Sequence, residues 1–225
     1  MNIRLLVKEP RHGLEVWLAS GAEADRDALA RSRIAARLGC RPQDVAIGRA
    51  PQGAPILLAP SSPLRLSLSG RGGVVLVGLA PCALGVDAEP VGAPFEPSMD
   101  VPWNVLHPGE QAFLRALGDS TARHLAFLRI WTAKEAVLKA WGVGLRREPA
   151  SFEIVLNARG LGWTRSQPGE PTTGSAFPIA PHASGDVELA GSACGFTTPD
   201  AALRLGQTGI VEAGGRDYVW ACAVA

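Results

Sequence analysis

The stretch Trp131-Thr132-Ala133-Lys134-Glu135-Ala136-Val137-Leu138-Lys139-Ala140-Trp141-Gly142 decides how the rest of the chain is read. Its pattern predicts the end of a long helix running from Thr121 to Trp141 and stopped by Gly142 and Gly144. At about 100° per residue, Phe127, Ile130, Trp131, Val137, Leu138 and Trp141 fall within an arc of about 120°, a buried face. Lys134 projects into the middle of that face, and Glu135 and Lys139 lie at its margin, one turn apart. Lysine is rarely buried unless paired. The position has two readings. One is a snorkelling stem beside a surface Glu–Lys pair. The other is a charged cleft that cuts into the core face.

Upstream, Gly85-Val86-Asp87-Ala88-Glu89 closes an apolar segment that begins at Ala83. Asp87 and Glu89 are two apart on a predicted strand, so they project to the same side. Paired carboxylates repel, and a cation or a retained proton relieves the cost. An all-oxygen pair suits Mg²⁺, which takes few carboxylates and keeps water and substrate phosphates as its other ligands. The alternative is that one of the two is simply solvated where Pro90 turns the chain.

Around these motifs the chain alternates in short elements. Residues 2–8 and 14–19 read as strands about a His12-Gly13 turn, and 25–40 as a helix capped by Asp25 and ending near Gly39. Pro51-Gln52-Gly53-Ala54-Pro55 reads as a connector. Residues 64–68, 73–79 and 83–89 read as strands, the second well buried. Prolines at 90, 94, 97 and 102 mark a link between two halves, 1–95 and 96–225. In the second half helices come first, from Pro108 to near Leu117 and then the long one. Strands follow at 151–156, 186–190, 201–205 and 217–224, with 157–185 as a long Gly-, Pro-, Ser- and Thr-rich loop. The class is α+β, with halves similar in element order.

Composition narrows the function. A chain of 225 residues makes one large domain or two small ones. The 22 basic and 21 acidic residues leave a net charge of +1, which argues against a nucleic-acid partner held by overall charge. No apolar run reaches the roughly 18 residues of a membrane helix. The first apolar run, broken by Lys8 and Glu9, is too short for a secretory signal. Cys40, Cys82, Cys194 and Cys222 are scattered, so neither a zinc site nor a disulfide framework is expected, and the compartment is a reducing cytoplasm. His12, His107, His124 and His182 have no ligand spacing and read as surface or loop residues. Of the 22 basic residues, 19 are arginine; the lysines are Lys8, Lys134 and Lys139, so two of three sit in the opening stretch. Arg26, Arg33, Arg37 and Arg41 line one side of the first helix and read as a basic face. Arg146-Arg147 follow the long helix, either at a cleft mouth or as a surface pair.

The two motifs together change the weight of each. Gly85-Val86-Asp87-Ala88-Glu89, 41 intervening residues and then Trp131 to Gly142 resemble the paired signatures of the 4'-phosphopantetheinyl transferases. The length resembles the larger single-chain class that includes the surfactin-synthetase activator. Weaker similarity extends to Gly53-Ala54-Pro55, Leu66-Ser67-Leu68-Ser69-Gly70 and the last strand, Asp217 to Ala223.

The resemblance implies two similar α+β halves related by a pseudo-twofold, with the active site between them, in a monomer. It implies transfer of the phosphopantetheine arm of coenzyme A to a serine of an apo acyl or peptidyl carrier protein, with Mg²⁺, releasing 3',5'-ADP. It implies Asp87, Glu89 and Glu135 as metal ligands, and Lys134 and Lys139 beside the coenzyme A phosphates. Glu135 and Lys139 become the catalytic pair, and Ser67, Arg65 and Arg71 are expected beside coenzyme A. Glu110, in His107-Pro108-Gly109-Glu110, falls near a family glutamate, although an acid there also favours a helix N-terminus. The chemistry needs phosphate charge neutralised and a serine proton removed, by a carboxylate or by a water on the metal. The proton acceptor is thus Glu135, Glu110 or that water.

The chain departs from the family at three grips. Where the family reads Asn-x-Ser-His-Ser, this chain has Arg65-Leu66-Ser67-Leu68-Ser69, and the family's Gly-Lys-Pro lysine is Ala54. The expectation is weaker coenzyme A affinity, partly restored by Arg65, Arg71 or Arg49 through bidentate contacts. A non-catalytic coenzyme A or carrier-binding relative, or another Mg²⁺-dependent phosphoryl enzyme, are the competing readings.

Overall fold

A computed structural model describes residues 2–21, 24–92, 101–157, 194–197, 203 and 205–225. The chain runs β1 (Asn2–Glu9), β2 (Leu14–Ser20), α1 (Arg26–Leu38), β3 (Ala46–Arg49), β4 (Pro55–Ala59), β5 (Arg65–Arg71), β6 (Val74–Ala80) and β7 (Leu84–Pro90). It continues α2 (Pro108–Ala116), α3 (Ser120–Ala140), β8 (Val155–Asn157), β9 (Cys194–Thr197), β10 (Leu205–Ala213) and β11 (Arg216–Val224). The fold is mixed α+β.

Two antiparallel sheets carry it, ordered β1-β2-β6-β5 and β7-β11-β10-β9-β8; β3 and β4 form a separate hairpin. Strand alternation sorts side chains into layers. On β6, Val74, Leu76 and Ala80 join a core shared by the two sheets, while Val75, Val77 and Leu79 face α1. On β11, Tyr218, Trp220, Cys222 and Val224 enter that shared core, while Val219, Ala221 and Ala223 face α3. The order of layers is therefore α1, sheet, sheet, α3. β7 follows the same rule. Leu84, Val86 and Ala88 fill the inter-sheet core, which turns Gly85, Asp87 and Glu89 to the α3 side.

Local signals set the helices. Asp25 caps α1 by accepting from the Asp27 and Ala28 amides, and Gly39 ends it at φ 68° in the left-handed region. α3 is capped by Asp119 and is buried on nearly every side, from His124 through Ala140. The expectation of one buried face gives way because β7 and β11 cover one side and α2 with the 149–154 segment the other. Gly85 makes the close approach of α3 to β7 feasible. A Cβ there would stand 1.8 Å from the Ala136 carbonyl oxygen.

Other expectations are revised. Residues 51–55 are a hairpin: Ala50 N–H donates to Ala54 O and Gly53 N–H to Ala50 O, and the strand resumes at Pro55. The strand expected at 151–156 is confined to Val155–Asn157, after a 3₁₀ turn at Pro149–Ser151. Of the strand expected at 201–205, Leu205 belongs to β10, which runs to Ala213, while residues 201, 202 and 204 lie outside the described residues. Residues 93–100 of the proline-rich link, the strand expected at 186–190 and residues 158–185 of the long loop lie outside the described residues. Among the described residues, no helix is long and apolar enough to cross a membrane.

Candidate active site

β5 and β7 lie side by side and present their side chains at matching intervals. Ser67, Ser69 and Arg71 share one face of β5; Asp87 and Glu89 share one face of β7. Ser67 Oγ accepts from the Val86 amide (3.0 Å), Ser69 Oγ donates to Asp87 Oδ1 (2.9 Å), and Arg71 Nη1 donates to Glu89 Oε1 (2.9 Å). From the other side α3 delivers Lys139, whose ammonium lies 2.7 Å from Asp87 Oδ1 and 3.1 Å from the Val86 carbonyl. Glu135, one turn before, lines the same cavity with Trp131.

The cavity holds about 600 Å³ and gathers Asp87, Glu89 and Glu135 with Arg26, Arg71 and Lys139. A second cavity of about 600 Å³ adjoins it, sharing Leu68 and Lys139. Its walls are the β3–β4 turn, with Arg49, Gln52 and Ala54, and the chain after α3, with Val143 and Arg146. Leu66, Ser67 and Leu84 line it from the strands.

Burial governs the electrostatics. Asp87 and Glu89 are almost fully enclosed, and Asp87 Oδ2 and Glu89 Oε2 are buried without a hydrogen-bond partner. Burial, then the Asp87 charge, raises the Glu89 carboxyl to about 7, against the pull of Arg71. The Glu135 carboxyl is raised by the same two causes and lowered by Lys139. Orphaned carboxylate oxygens in a low-dielectric site are costly, and an oxygen-only donor set of this kind fits a hard divalent cation. Among the described residues, no three acidic, histidine or cysteine side chains already stand grouped to hold an ion.

Several predicted site residues lie elsewhere. Lys134 is fully buried and does not reach either cavity. Its ammonium meets Glu110 Oε1 at 2.9 Å, donates to the Pro149 and Phe152 carbonyls, and lies 4.4 Å from the Phe152 ring centroid. Glu110 is equally enclosed and also accepts from the Ile154 and His107 amides. Burial raises the Glu110 carboxyl, opposed by Lys134. The pair ties α3, the α2 N-terminus and the 149–154 segment together. The physical reason is angular: one helix position separates Lys134 from Glu135, and about 100° turns it from the cavity to the core. Arg65 is exposed and lines neither cavity.

The arginines of α1 and the segment after it do not act as one face. Arg26 lines the carboxylate cavity; Arg33 stacks on Trp17 at 4.7 Å. Arg37 donates to the Gly13 carbonyl, and Arg41 holds Asp44. Arg146 joins the second cavity, whereas Arg147 stacks on Trp141. One histidine departs from the expected surface or loop setting: His124 is buried in α3, while His107, in the loop before α2, caps that helix by accepting from the Gly109 amide. Sequence reasoning passed over Ser69, Trp131 and Gln52 as cavity residues, and read Arg26 as part of a basic face. The equal two-residue spacing of Ser69/Arg71 and Asp87/Glu89 is present in the sequence, but nothing local says that the two strands meet.

Residues 83–190 match the family model of the 4'-phosphopantetheinyl transferase superfamily. The span includes β7, α2, α3 and β8, hence Asp87, Glu89, Glu135 and Lys139. No curated protein matches the chain in sequence.

Proposed function

We propose that the protein moves the 4'-phosphopantetheine arm of coenzyme A to a serine hydroxyl of an apo carrier protein, with Mg²⁺, releasing 3',5'-ADP. The observation that carries this reading is one cavity lined by Asp87, Glu89, Glu135 and Lys139, with two buried carboxylate oxygens unpartnered. It occurs within the segment that matches the transferase superfamily. Phosphopantetheine transfer is the activity that family implies, and coenzyme A and a carrier protein are the partners.

Asp87, Glu89 and Glu135 would hold the ion, which when bound supplies positive charge to the pyrophosphate oxygens. Lys139, shared by both cavities, adds its ammonium to the same phosphates. Glu135, which lines the same cavity, takes the proton of the serine hydroxyl or orients a water that takes it. The serine oxygen bonds the phosphorus that carries the pantetheine arm, and the bond from that phosphorus to the adenosine-side phosphate breaks. Of the arginines expected to compensate for lost grips, Arg49 lines the second cavity, and Arg146 lines it too. The adenosine end of coenzyme A belongs there. The larger single-chain subtype, the two-halved division at residue 95 with its pseudo-twofold, a monomer and a cytoplasmic location all belong to this reading.

A second reading is a non-catalytic coenzyme A or carrier-binding relative. It is favoured by Leu68 and Ala54, which line the second cavity where the family has histidine and lysine. Incubating the protein with apo fatty-acid, polyketide and peptidyl carriers, coenzyme A and Mg²⁺, then weighing the carriers, decides between them. A gain of one phosphopantetheine supports transfer. Bound coenzyme A with no gain supports the second reading, and phosphate release without carrier indicates another phosphoryl enzyme. Leu68→His is expected to lower the KM for coenzyme A by about tenfold; an unchanged KM counts against this placement of the phosphates.

A further inference from the structure

Three groups on one face of β5 bond to β7, two of them to its carboxylates, and they differ in one respect. Ser67 and Ser69 are buried and fixed on the Val86 amide and on Asp87. Arg71 holds Glu89 from outside, with its own side chain 49% exposed against 6% for Glu89. Its backbone is anchored. The next residue, Gly72, turns at φ 61°, and its carbonyl accepts from the Tyr218 hydroxyl at 2.7 Å. A guanidinium on a long exposed arm rooted in a fixed turn can leave its partner without unfolding anything.

The charges give that freedom a purpose. Two enclosed carboxylates need compensating charge, and with no other cation bound it comes from Lys139 on Asp87 and Arg71 on Glu89. Each cation takes one oxygen and leaves the second buried oxygen unpartnered. Lys139 is also held by the Val86 carbonyl, whereas Arg71 donates to Glu89 from its exposed side. We infer that Arg71 is a stand-in cation: its guanidinium holds Glu89 while no divalent ion is bound and yields the carboxylate when one arrives. The inference rests on the metal reading above and adds an exchange to it. The arriving ion replaces a resident positive charge, which makes wild-type metal affinity weaker than the carboxylates alone allow, and the freed guanidinium becomes available to a phosphate oxygen.

The test is Mn²⁺ affinity of the full-length protein without coenzyme A, read at fixed pH from the electron paramagnetic resonance signal of free Mn²⁺. Arg71→Ala is expected to bind Mn²⁺ about tenfold more tightly than wild type, and Arg71→Lys within about threefold of it, because the ammonium keeps the charge. Arg71→Gln, which keeps a donor without the charge, is expected to follow Arg71→Ala and serves if the alanine variant does not fold. Unchanged or weaker Mn²⁺ binding in a folded Arg71→Ala or Arg71→Gln overturns the inference while leaving the metal reading intact. A merely structural role for Arg71 predicts that weaker binding. Failure of wild type and all variants to bind Mn²⁺ overturns the metal reading, and this inference with it.

Discussion

Lys134 and Lys139 stand five residues apart on one helix, and each lies within 3 Å of a carboxylate, 2.9 Å from Glu110 and 2.7 Å from Asp87. The two pairs differ in saturation. The Lys134 ammonium spends its donors on Glu110 and two carbonyls, and both Glu110 oxygens accept, from Lys134, Ile154 and His107. Every polar group there is satisfied, as a buried ion pair must be to persist. The Lys139 side chain is 31% exposed, and its partner keeps an oxygen with nothing bound. A complete pair fastens the structure; an incomplete one leaves valence for a ligand.

Substitutions can break this contrast in both directions. The largest effect is expected at the incomplete pair's own site: Asp87→Ala or Glu135→Ala should lower carrier modification at least about a thousandfold while the protein still melts cooperatively near the wild-type temperature. Retained transfer in either variant removes the metal assignment. Next is Lys134→Ala, which strands a buried Glu110 charge and should cost about 3–5 kcal/mol of stability in a denaturant titration. Activity per folded molecule should change far less; if stability holds and transfer fails, Lys134 belongs to the site after all.

Lys139→Arg sharpens the contrast further. It keeps the charge but exchanges a compact ammonium for a broad fork beside Asp87, and should slow transfer by about 10–100-fold with the melting temperature unchanged. The smallest effect concerns pH. The Glu89 carboxyl is raised from 4.5 to about 7, so the folded state binds its proton more tightly than the unfolded chain. Metal-free stability contributed by that proton is present below 4.5 and is lost as pH climbs through about 7. Mg²⁺ should therefore raise the melting temperature by a few degrees above pH 7 and hardly at pH 5, and Glu89→Gln should flatten the difference. Equal Mg²⁺ shifts at both pH values contradict the placement of Glu89.

Much of this was legible before the structure. Period-two alternation and apolar runs located β1, β2, β5, β6, β7 and β11, a cap located α1, and apolar periodicity with a glycine stop located α3, because those signals are local. β10 was hidden by Gly206, Gln207 and Gly209, which interrupt its apolar run. The reason for Gly209 lies across the sheet, where a Cβ would come within 3 Å of three atoms of the Trp220 ring. The β3–β4 hairpin was hidden for the opposite reason, since proline and glycine at its turn resemble a connector. Asp87, Glu89 and Glu135 were legible as a set; the Ser69, Arg71 and Arg26 partners were not, because residue spacing within β5 does not say which strand lies beside it.

What the sequence determined by itself is the pair of motifs, their order and the chemical character they share: oxygen donors on a strand, then a carboxylate and a lysine one turn apart on a helix. Those follow from periodicity, which the chain carries along its own length. Only the tertiary structure decided which lysine reaches the cavity wall. Lys134 and Lys139 have the same chemistry and similar neighbours in sequence. Their fates separate because Gly85 brings α3 against β7, so Lys139 meets Asp87 at the cavity wall while Lys134 points to the opposite side, where Glu110 and two carbonyls enclose it. Packing across elements distant in sequence fixes that rotation, and no local pattern encodes it.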